Sequence, residues 1–339
     1  MSAKPARLEL RWRHELPGFP VDIAWSPDAQ RLVAGCGEGD LHLIRCGANP
    51  GIDALPTQGG GVLSLAWQGA GMLFASSAQD GSVRLWDARD PSAREIHRAG
   101  QWVEQLAFST NGKLLAAACG RDVLLFDAEG SLRATLADHP GTLGAIAWRP
   151  RSGELAAVGN GGLRLHRVES QVHSVEHAWA GACLTASWSP DGRVLASGMQ
   201  DGSVHFWRIA AGNQSQMRGY SGKVTQTSWS ANSRYLATAA AETLVIWDFS
   251  GGGPEDSRPL QLQGHSARVT ALAFRPSGAH LASAGRDWRL MLWRPGSADQ
   301  AEDAHLLGGE IVLLRWSRDG RYLAVADRHG TLSVFEFLL

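Results

Sequence analysis

The sequence lacks a long apolar run and an excess of charge of either sign. No stretch of 18 apolar residues occurs in the 339, so no helix that spans a membrane is expected. No apolar run follows Met1 to Pro5 either, which predicts that the chain has no secretory signal. Basic residues number 32 against 33 acidic ones, a formal net charge of −1. This balance argues against a nucleic-acid partner, because such partners are held mainly by a basic surface.

Paired cysteines are also missing. The four cysteines, Cys36, Cys46, Cys119 and Cys183, form no Cys-x-x-Cys motif. Cys36 and Cys46 share a predicted hairpin, but its turn sets them out of register, too far apart for a disulfide. We therefore expect free thiols and a reducing, cytoplasmic location, with no membrane partner.

Helical periodicity is absent, and what the sequence has instead is a repeat. An apolar run that ends in an aromatic residue recurs eight times, in steps of 40 to 45 residues. These aromatic residues are Trp25, Trp67, Phe108, Trp148, Trp188, Trp229, Phe274 and Trp316. A repeat at this spacing predicts an array of similar structural units.

The fifth copy shows the pattern of one unit. Residues 184–188 (LTASW) predict a first strand, and residues 189–192 (SPDG) predict a type I turn. A second strand is predicted at 194–198. Residues 200–203 (QDGS) predict a tight hairpin turn before a third strand at 204–207. A more variable fourth segment then leads to the next copy.

These units resemble the WD40 (Trp-Asp) repeat. The Trp-Asp pair that ends the repeat of that family is present as Trp86-Asp87 and Trp247-Asp248. It is altered in the other copies to Phe126-Asp127, Trp207-Arg208, Trp293-Arg294, Phe335-Glu336, Ile44-Arg45 and His166-Arg167. The opening Gly-His pair is present at Gly264-His265. The resemblance covers about residues 7–339.

The resemblance implies an all-β fold, a β-propeller with four-stranded blades around a channel. Eight copies imply a single eight-bladed propeller over residues 1–339; seven blades, the usual number, is the alternative. The last copy ends at its third strand, and residues 7–14 alternate like a strand without a blade of their own. We therefore predict that residues 7–14 close the ring as the outer strand of the last blade. The repeats are expected at about 16–57, 58–99, 100–138, 139–178, 179–219, 220–262, 263–306 and 307–339.

Four residues of the seventh copy resemble a hydrogen-bonded network that stabilises blades in this family: His265, Ser283, Asp287 and Trp293. The same residue types could suggest a catalytic His–Ser–Asp triad. That interpretation is not favoured, because Ser283 falls in the middle of a predicted strand and not on an exposed turn. No catalytic residue is therefore predicted.

Residues 173–177 (HSVEH) carry two histidines four residues apart. On a helix they would meet, but this segment is a predicted outer strand, where four residues span about 13 Å. A metal site with the neighbouring His166 is therefore less favoured than a solvated strand face. Residues 35–39 (GCGEG) resemble a phosphate-binding loop, yet no helix follows them, so a hairpin turn is expected. No metal or cofactor is predicted.

Two tryptophans fall outside the predicted strands. Trp102 precedes a first strand and Trp288 follows Asp287 in a turn, and both positions should open on one rim of the ring. Exposed Trp and Arg are typical binding anchors, although Trp288 could instead pack against a neighbouring blade. The residues expected on this partner-binding rim are Arg286, Trp288, Arg328, His329, Arg121, Trp102, Arg268, Lys223, Gln79, Gln200, Glu242 and Glu310.

A repeat array is typically a surface that holds partners, and no reaction chemistry stands out in this sequence. We therefore expect a non-enzymatic scaffold that presents the rim to protein or peptide partners. The mixed charge of the rim favours these over a phosphate polymer. One alternative is a propeller that binds a small ligand or metal, or catalyses a reaction, in its central channel. The other is an architectural subunit of a larger complex.

Overall fold

The computed structural model describes residues 5–47, 50–137, 139–169, 171–251, 253–255, 257–297 and 300–339. Within these ranges the regular secondary structure consists of β-strands alone. The 31 strands form eight antiparallel sheets. We call each sheet a blade and number the blades in chain order. Four blades belong to a compact first unit, Pro17–Ala186. The other four belong to a second unit, which contains Ser187–Leu339 and the N-terminal strand β1 (Arg7–Glu15).

The first unit contains blades 1 to 4, and the strands of each blade lie side by side in chain order. Blade 1 consists of β2 (Pro20–Trp25), β3 (Arg31–Cys36), β4 (Leu41–Arg45) and β5 (Gly51–Leu55). Blade 2 consists of β6 (Val62–Trp67), β7 (Leu73–Ala78), β8 (Ser82–Asp87) and β9 (Asp90–Arg98). Blade 3 consists of β10 (Gln105–Phe108), β11 (Leu114–Cys119), β12 (Asp122–Asp127) and β13 (Leu132–Leu136), and blade 4 of β14 (Leu143–Trp148), β15 (Glu154–Val168) and β16 (Val172–Ala182).

Blade 4 has one element fewer because β15 doubles back on itself. The N–H of Val168 donates to the carbonyl of Gly153 at 3.1 Å, which brings the two ends of the 15-residue strand together. A straight strand of that length would be about 50 Å long. The chain reverses near Asn160-Gly161, a pair that favours tight hairpin turns, and Gly161 has a φ of +100°. The two halves of β15 therefore supply the second and third strands of this blade.

The second unit contains blades 5 to 8. Blade 5 consists of β17 (Ser187–Trp188), β18 (Val194–Gly198), β19 (Val204–Arg208) and β20 (Asn213–Met217). Blade 6 consists of β21 (Gln226–Trp229), β22 (Tyr235–Ala239), β23 (Leu244–Asp248) and β24 (Leu260–Leu262), and blade 7 of β25 (Val269–Phe274), β26 (Leu281–Gly285), β27 (Arg289–Trp293) and β28 (Asp303–Leu306). Blade 8 consists of β29 (Ile311–Trp316), β30 (Tyr322–Asp327), β31 (Thr331–Leu338) and β1.

The N-terminal strand completes blade 8, as the sequence predicted. β1 pairs antiparallel with β31, from Arg7 opposite Leu338 to Glu15 opposite Thr331. The N–H of Leu8 also donates to the Asp303 carboxylate of blade 7 at 2.6 Å. The all-β fold and the eight-bladed β-propeller are confirmed, and the alternative of seven blades is wrong. The extent of a single domain over residues 1–339 stays a prediction.

The turn between the first and second strands has the same hydrogen bonds in five blades. In blade 5 the Ser189 hydroxyl donates to Asp191 Oδ1 at 2.6 Å and accepts from the N–H of Val194 at 3.0 Å. The equivalent pairs of bonds form at Ser26, Ser109, Ser230 and Ser317. These serines are buried, so each turn closes without an unsatisfied hydroxyl.

The hydrophobic core of each unit lies between consecutive blades. Between blades 1 and 2, for example, Val33 and Leu43 pack in one cluster with Phe74 and Trp86. Five similar clusters fill the gaps between blades 2 and 3, 3 and 4, 5 and 6, 6 and 7, and 7 and 8. A blade inside a unit therefore buries both of its faces.

The recurring tryptophan of the first strand also forms a hydrogen bond to the preceding blade. The indole N–H of Trp148 donates to the carbonyl of Ala107 at 2.9 Å, and Ala107 directly precedes the aromatic residue of blade 3. Trp67, Trp229 and Trp316 make the same bond, at 2.8 to 3.0 Å. The aromatic period of the sequence thus marks both a core residue and an inter-blade hydrogen bond.

We predict that Trp148→Phe lowers the free energy of unfolding by about 1–3 kcal/mol, because it removes the bond to the carbonyl of Ala107 and puts a smaller ring at a buried position. Urea denaturation monitored by circular dichroism would measure the change. Trp102→Phe, which alters an exposed ring, is the control and should change stability by less than about 0.5 kcal/mol. Equal stability of Trp148→Phe and the unchanged protein would contradict the role assigned to this bond.

Candidate partner-binding surfaces

The structure brings the four network residues of blade 7 into one hydrogen-bonded chain. The indole N–H of Trp293 donates to Ser283 Oγ at 2.8 Å, and Ser283 Oγ lies 2.7 Å from His265 Nε2. His265 Nδ1 lies 3.0 Å from an Asp287 carboxylate oxygen. Because the carboxylate can only accept, Nδ1 carries the proton, and Nε2 accepts from the serine hydroxyl.

Burial fixes the charge state of this chain. Burial lowers the pKa of His265, although the Asp287 carboxylate opposes the shift. Burial alone would raise the pKa of Asp287, but hydrogen bonds from the backbone N–H of Ser266 and from His265 outweigh it and lower that pKa. Ser283 and the side chain of His265 are fully buried. Since no substrate can reach these residues, the hydrogen-bonded network connects the strands of blade 7 and is not a reaction centre.

Blades 6 and 2 satisfy the equivalent tryptophan N–H with different residues, whereas the buried N–H of Trp207 in blade 5 has no hydrogen-bond partner among the residues that the structure describes. In blade 6 the indole N–H of Trp247 donates to the Tyr220 hydroxyl at 2.7 Å, and that hydroxyl also bonds Thr238. In blade 2 Trp86 bonds Ser76 at 2.8 Å. The hydrogen-bonded network of blade 7 is thus one of several, and the residues that bond the tryptophan differ from blade to blade.

Blade 4 contains a buried histidine pair that the sequence analysis missed. His139 Nε2 and His166 Nε2 lie 3.0 Å apart. His139 Nδ1 lies 2.7 Å from the carbonyl of Arg121, and His166 Nδ1 lies 2.8 Å from Ser174 Oγ. The carbonyl can only accept, so His139 donates to it through Nδ1, and His166 must then donate through Nε2 to His139.

Both histidines of this pair are neutral near pH 7. Burial, with smaller contributions from His139 and Arg164, lowers the pKa of His166 to about 4. Burial likewise lowers the pKa of His139. A sequence signal for the pair existed, because His139 stands nine residues before Trp148, as His265 stands nine before Phe274. His166 occupies the position that the tryptophan of the Trp-Asp pair has in other copies.

The histidines of residues 173–177 lie on the outer strand β16, where His173 is exposed and His177 half-buried. His166 faces Ser174 in the paired register. Across the described ranges, no group of three or more His, Cys, Asp or Glu side chains could hold a metal ion. The same ranges contain no helix long and apolar enough to cross a membrane.

Trp288 occupies a turn position that glycine fills in four other blades. Gly39, Gly81, Gly202 and Gly330 have φ angles of +101°, +79°, +79° and +103°, and Trp288 has a φ of +63°. At all five positions the backbone N–H donates to the carbonyl three residues earlier. This left-handed conformation is strained for a bulky side chain. Trp288 is nevertheless 48% exposed, so burial accounts for the strain only in part.

Charged and apolar side chains surround Trp288. Arg286 and Arg328 both bond the Glu310 carboxylate, at 2.9 and 3.5 Å, and both guanidinium groups remain largely exposed. Arg286, Arg328 and the exposed Arg289 outnumber the carboxylates of Glu310 and Asp287 by one charge. Leu306, which is 73% exposed, pairs with Arg289 next to Trp288. The surface therefore combines two exposed apolar side chains with excess positive charge.

Trp102 lines an open cavity of about 490 Å³ in the first unit, and its indole is 54% exposed. Gln79, from the β7–β8 turn, lines the same cavity. Arg121 lies in the β11–β12 turn and donates to the carbonyl of His139 at 2.6 Å. Trp102 and Gln79 are thus brought together, whereas the guanidinium of Arg121 is bonded to the backbone.

The remaining predicted rim residues lie in turns of the second unit or directly before its first strands. Arg268 is half-buried and reaches the carbonyl of Lys223 at 3.4 Å. The exposed members are Lys223, Gln200, Glu242 and His329. Their part in partner binding stays a prediction.

A family model described as "WD domain, G-beta repeat" matches four segments of the chain: residues 53–87, 169–208, 213–248 and 257–294. These segments include the third strands of blades 2, 5, 6 and 7. The Trp-Asp pairs at Trp86 and Trp247 end two of them.

Three curated relatives match between 43% and 85% of this chain. Telomerase protein component 1 of Mus musculus is 27% identical over 302 residues, which cover 85% of this chain and 11% of that protein. Coronin-7 of Homo sapiens is 29% identical over 160 residues, 43% of this chain and 17% of that protein. Protein FIZZY-RELATED 3 of Arabidopsis thaliana is 25% identical over 245 residues, 68% of this chain and 50% of that protein. The chain thus spans half or less of the length of each of these relatives.

We predict that the histidine pair of blade 4 makes stability depend on pH. The pKa of His166 in the folded chain, about 4, lies below its ordinary value of 6.5. The unfolded chain therefore binds more protons between these values, and stability falls as the pH drops from about 6.5 towards 4. His166→Phe should make this fall smaller by about 2–3 kcal/mol in urea denaturation at pH 7.5 and 4. His173→Phe, at an exposed position, should leave the slope unchanged, and identical slopes for His166→Phe and the unchanged protein would refute the assignment.

Proposed function

Since the chain belongs to the WD40 repeat family, we propose that it is a non-enzymatic scaffold whose exposed turns bind protein or peptide partners. The proposal places the binding surface of the second unit around Trp288. Arg286 and Arg328 supply the charge at this surface, and Leu306 supplies a second apolar contact.

The strained conformation of Trp288 is the observation that carries this proposal. A left-handed backbone costs a non-glycine residue roughly 1–2 kcal/mol, and four other blades avoid that cost with glycine at the same position. Burial offsets the strain only in part, because Trp288 is 48% exposed. Strain without a structural benefit is typical of functional sites. Exposed tryptophan and arginine are also the side chains that most often dominate binding energy.

The charge around Trp288 indicates the chemistry of the partner. The glutamate that bridges Arg286 and Arg328 neutralises only one of the two guanidinium groups. A partner that inserts an apolar side chain beside Trp288 and carries a carboxylate next to it would complete both contacts. We infer a protein or peptide with an acidic, partly apolar segment.

The residues with the types of a catalytic triad do not support a catalytic role. The His265–Ser283–Asp287 chain has the residue types of a triad, but it is closed to solvent and its hydroxyl is already bonded on both sides. A nucleophile must reach its substrate, so this arrangement favours a structural role.

A place in a larger complex is compatible with this proposal. One relative is by its name a protein component of telomerase. That name describes the relative, and for this chain it supports only a general role as a subunit or binding partner.

We predict that Trp288→Gly removes partner binding and leaves the fold intact or stabilises it. Glycine adopts the left-handed turn without strain, so the free energy of unfolding should stay the same or rise by up to about 1 kcal/mol. Affinity purification from the source cells, followed by quantitative mass spectrometry, would measure the proteins that co-purify. Urea denaturation would measure stability in parallel.

Leu132→Ser is the matched control, because Leu132 has the same 48% exposure but lies on an outer strand of the first unit. This variant should keep the partners that the unchanged protein captures. The site assignment fails if Trp288→Gly is folded and still captures the same proteins in the same amounts.

A further inference from the structure

We propose that the cavity beside Trp102 binds a cationic side chain of a peptide partner, with arginine as the best fit. The inference rests on the proposed function, since it names the chemistry recognised at a second exposed tryptophan. Its residues all belong to the first unit.

The cavity lies between blades 2 and 3 and is formed by two backbone segments. One is the β7–β8 turn, which contributes Gln79 and Asp80, and the other is the segment that leads into β10. The two are held together by the N–H of Ala99, which donates to the carbonyl of Gly81 at 2.9 Å. A Cβ at Gly81 would lie only 2.2 Å from the carbonyl oxygen of Ala99, which shows how closely these segments pack. The cavity walls are therefore preorganised.

The indole of Trp102 supplies an aromatic wall. The next residue, Val103, is fully buried in the core between blades 2 and 3, so the backbone that carries Trp102 is anchored. The ring itself is more than half exposed and lines the open cavity. An indole face attracts a cation placed over it, and it is the strongest of the natural aromatic rings in this respect.

The charged residues that line the cavity are acidic. Its lining contains Asp80 and Glu104 and, among the described residues, no lysine, arginine or histidine. Glu104 Oε2 accepts from the N–H of Gly120 at 3.3 Å, while Glu104 Oε1 accepts no hydrogen bond within the described part of the chain. One N–H of the Gln101 amide is already used, since Nε2 bonds the carbonyl of Cys119 at 3.1 Å. The charged groups of the lining are carboxylates, which can only accept, and these suit a ligand rich in donors.

The arginine nearest to the cavity does not reverse this charge. Arg98 donates to Asp80 at 2.8 Å and to Glu95 at 2.7 Å, so one guanidinium is shared between two carboxylates. Arg84 lies 3.7 Å from Glu95 and balances that carboxylate. With these pairs neutralised, the charge of Glu104 remains. The cavity therefore favours cations and disfavours a phosphate or an acidic peptide.

Arginine fits this combination better than lysine. Its planar guanidinium can stack on the indole and at the same time direct its edge N–H groups towards Glu104 Oε1 and the Gln101 carbonyl oxygen. A lysine ammonium is a compact, strongly hydrated charge that gains less from the flat ring. We therefore expect the order of affinity arginine, then lysine, with a neutral isostere far behind.

The test is a titration of the full chain with acetyl-Gly-Gly-Arg-Gly-Gly-amide, followed by NMR of the tryptophan indole N–H signals. Trp102→Leu identifies the Trp102 signal by its loss. We expect that signal to shift with a dissociation constant in the high micromolar to millimolar range. The matched peptide with citrulline, which has the shape of arginine without its charge, should bind at least about tenfold more weakly.

Glu104→Gln should weaken arginine-peptide binding about tenfold and remove most of its salt dependence. Glu129→Gln, an exposed glutamate in the β12–β13 turn, is the matched control and should leave the affinity unchanged. Equal affinity for the arginine and citrulline peptides, or an unchanged affinity in Glu104→Gln, would overturn the proposal. Because the titration needs no natural partner, its failure is distinct from a failure of the Trp288 purification experiment.

Discussion

The first strand of a blade has one edge that no strand of its own sheet covers, and side chains of the preceding blade bond N–H groups on it. Ser64 accepts from the N–H of Leu106, and Gln105 Oε1 accepts from the N–H of Ile146. In the other direction, Trp67, Trp148, Trp229 and Trp316 donate to carbonyls of the preceding first strand. Buried backbone groups need such partners, and the apolar clusters between blades can form only where they are provided. Blade packing within each unit depends on this exchange.

The interior tolerates several solutions to the same problem. Blade 7 uses a Trp–Ser–His–Asp chain, blade 6 introduces Tyr220, and blade 4 joins His139 to His166. In each case a buried donor finds an acceptor, so the requirement concerns hydrogen-bond satisfaction and not residue identity. The exposed turns carry no such requirement. Trp288 and Trp102 lie in or beside such turns, and their role in binding is a proposal.

Much of the site could not be read from the order of residues. The turn position of Trp288 followed from its place after Asp287, but its left-handed φ and exposure did not. The sharing of Glu310 by Arg286 and Arg328 joins residues 24 and 18 positions away from it. The cavity at Trp102 combines a turn of blade 2 with the entry to blade 3. Such contacts depend on how blades approach each other and on side-chain conformations, which no local pattern encodes.

The sequence by itself determined the number of blades, their turns and the strand that completes blade 8. These features are local, because strand alternation, Asp-Gly turns and the aromatic period each act over a few residues. Only the tertiary structure decided which polar side chains meet and which tryptophans stay in solvent. His139 and His166 stand 27 residues apart and pair because β15 turns back at Asn160-Gly161. The physical reason is that burial and hydrogen-bond geometry arise between elements, whereas the tendency to form each element arises within it.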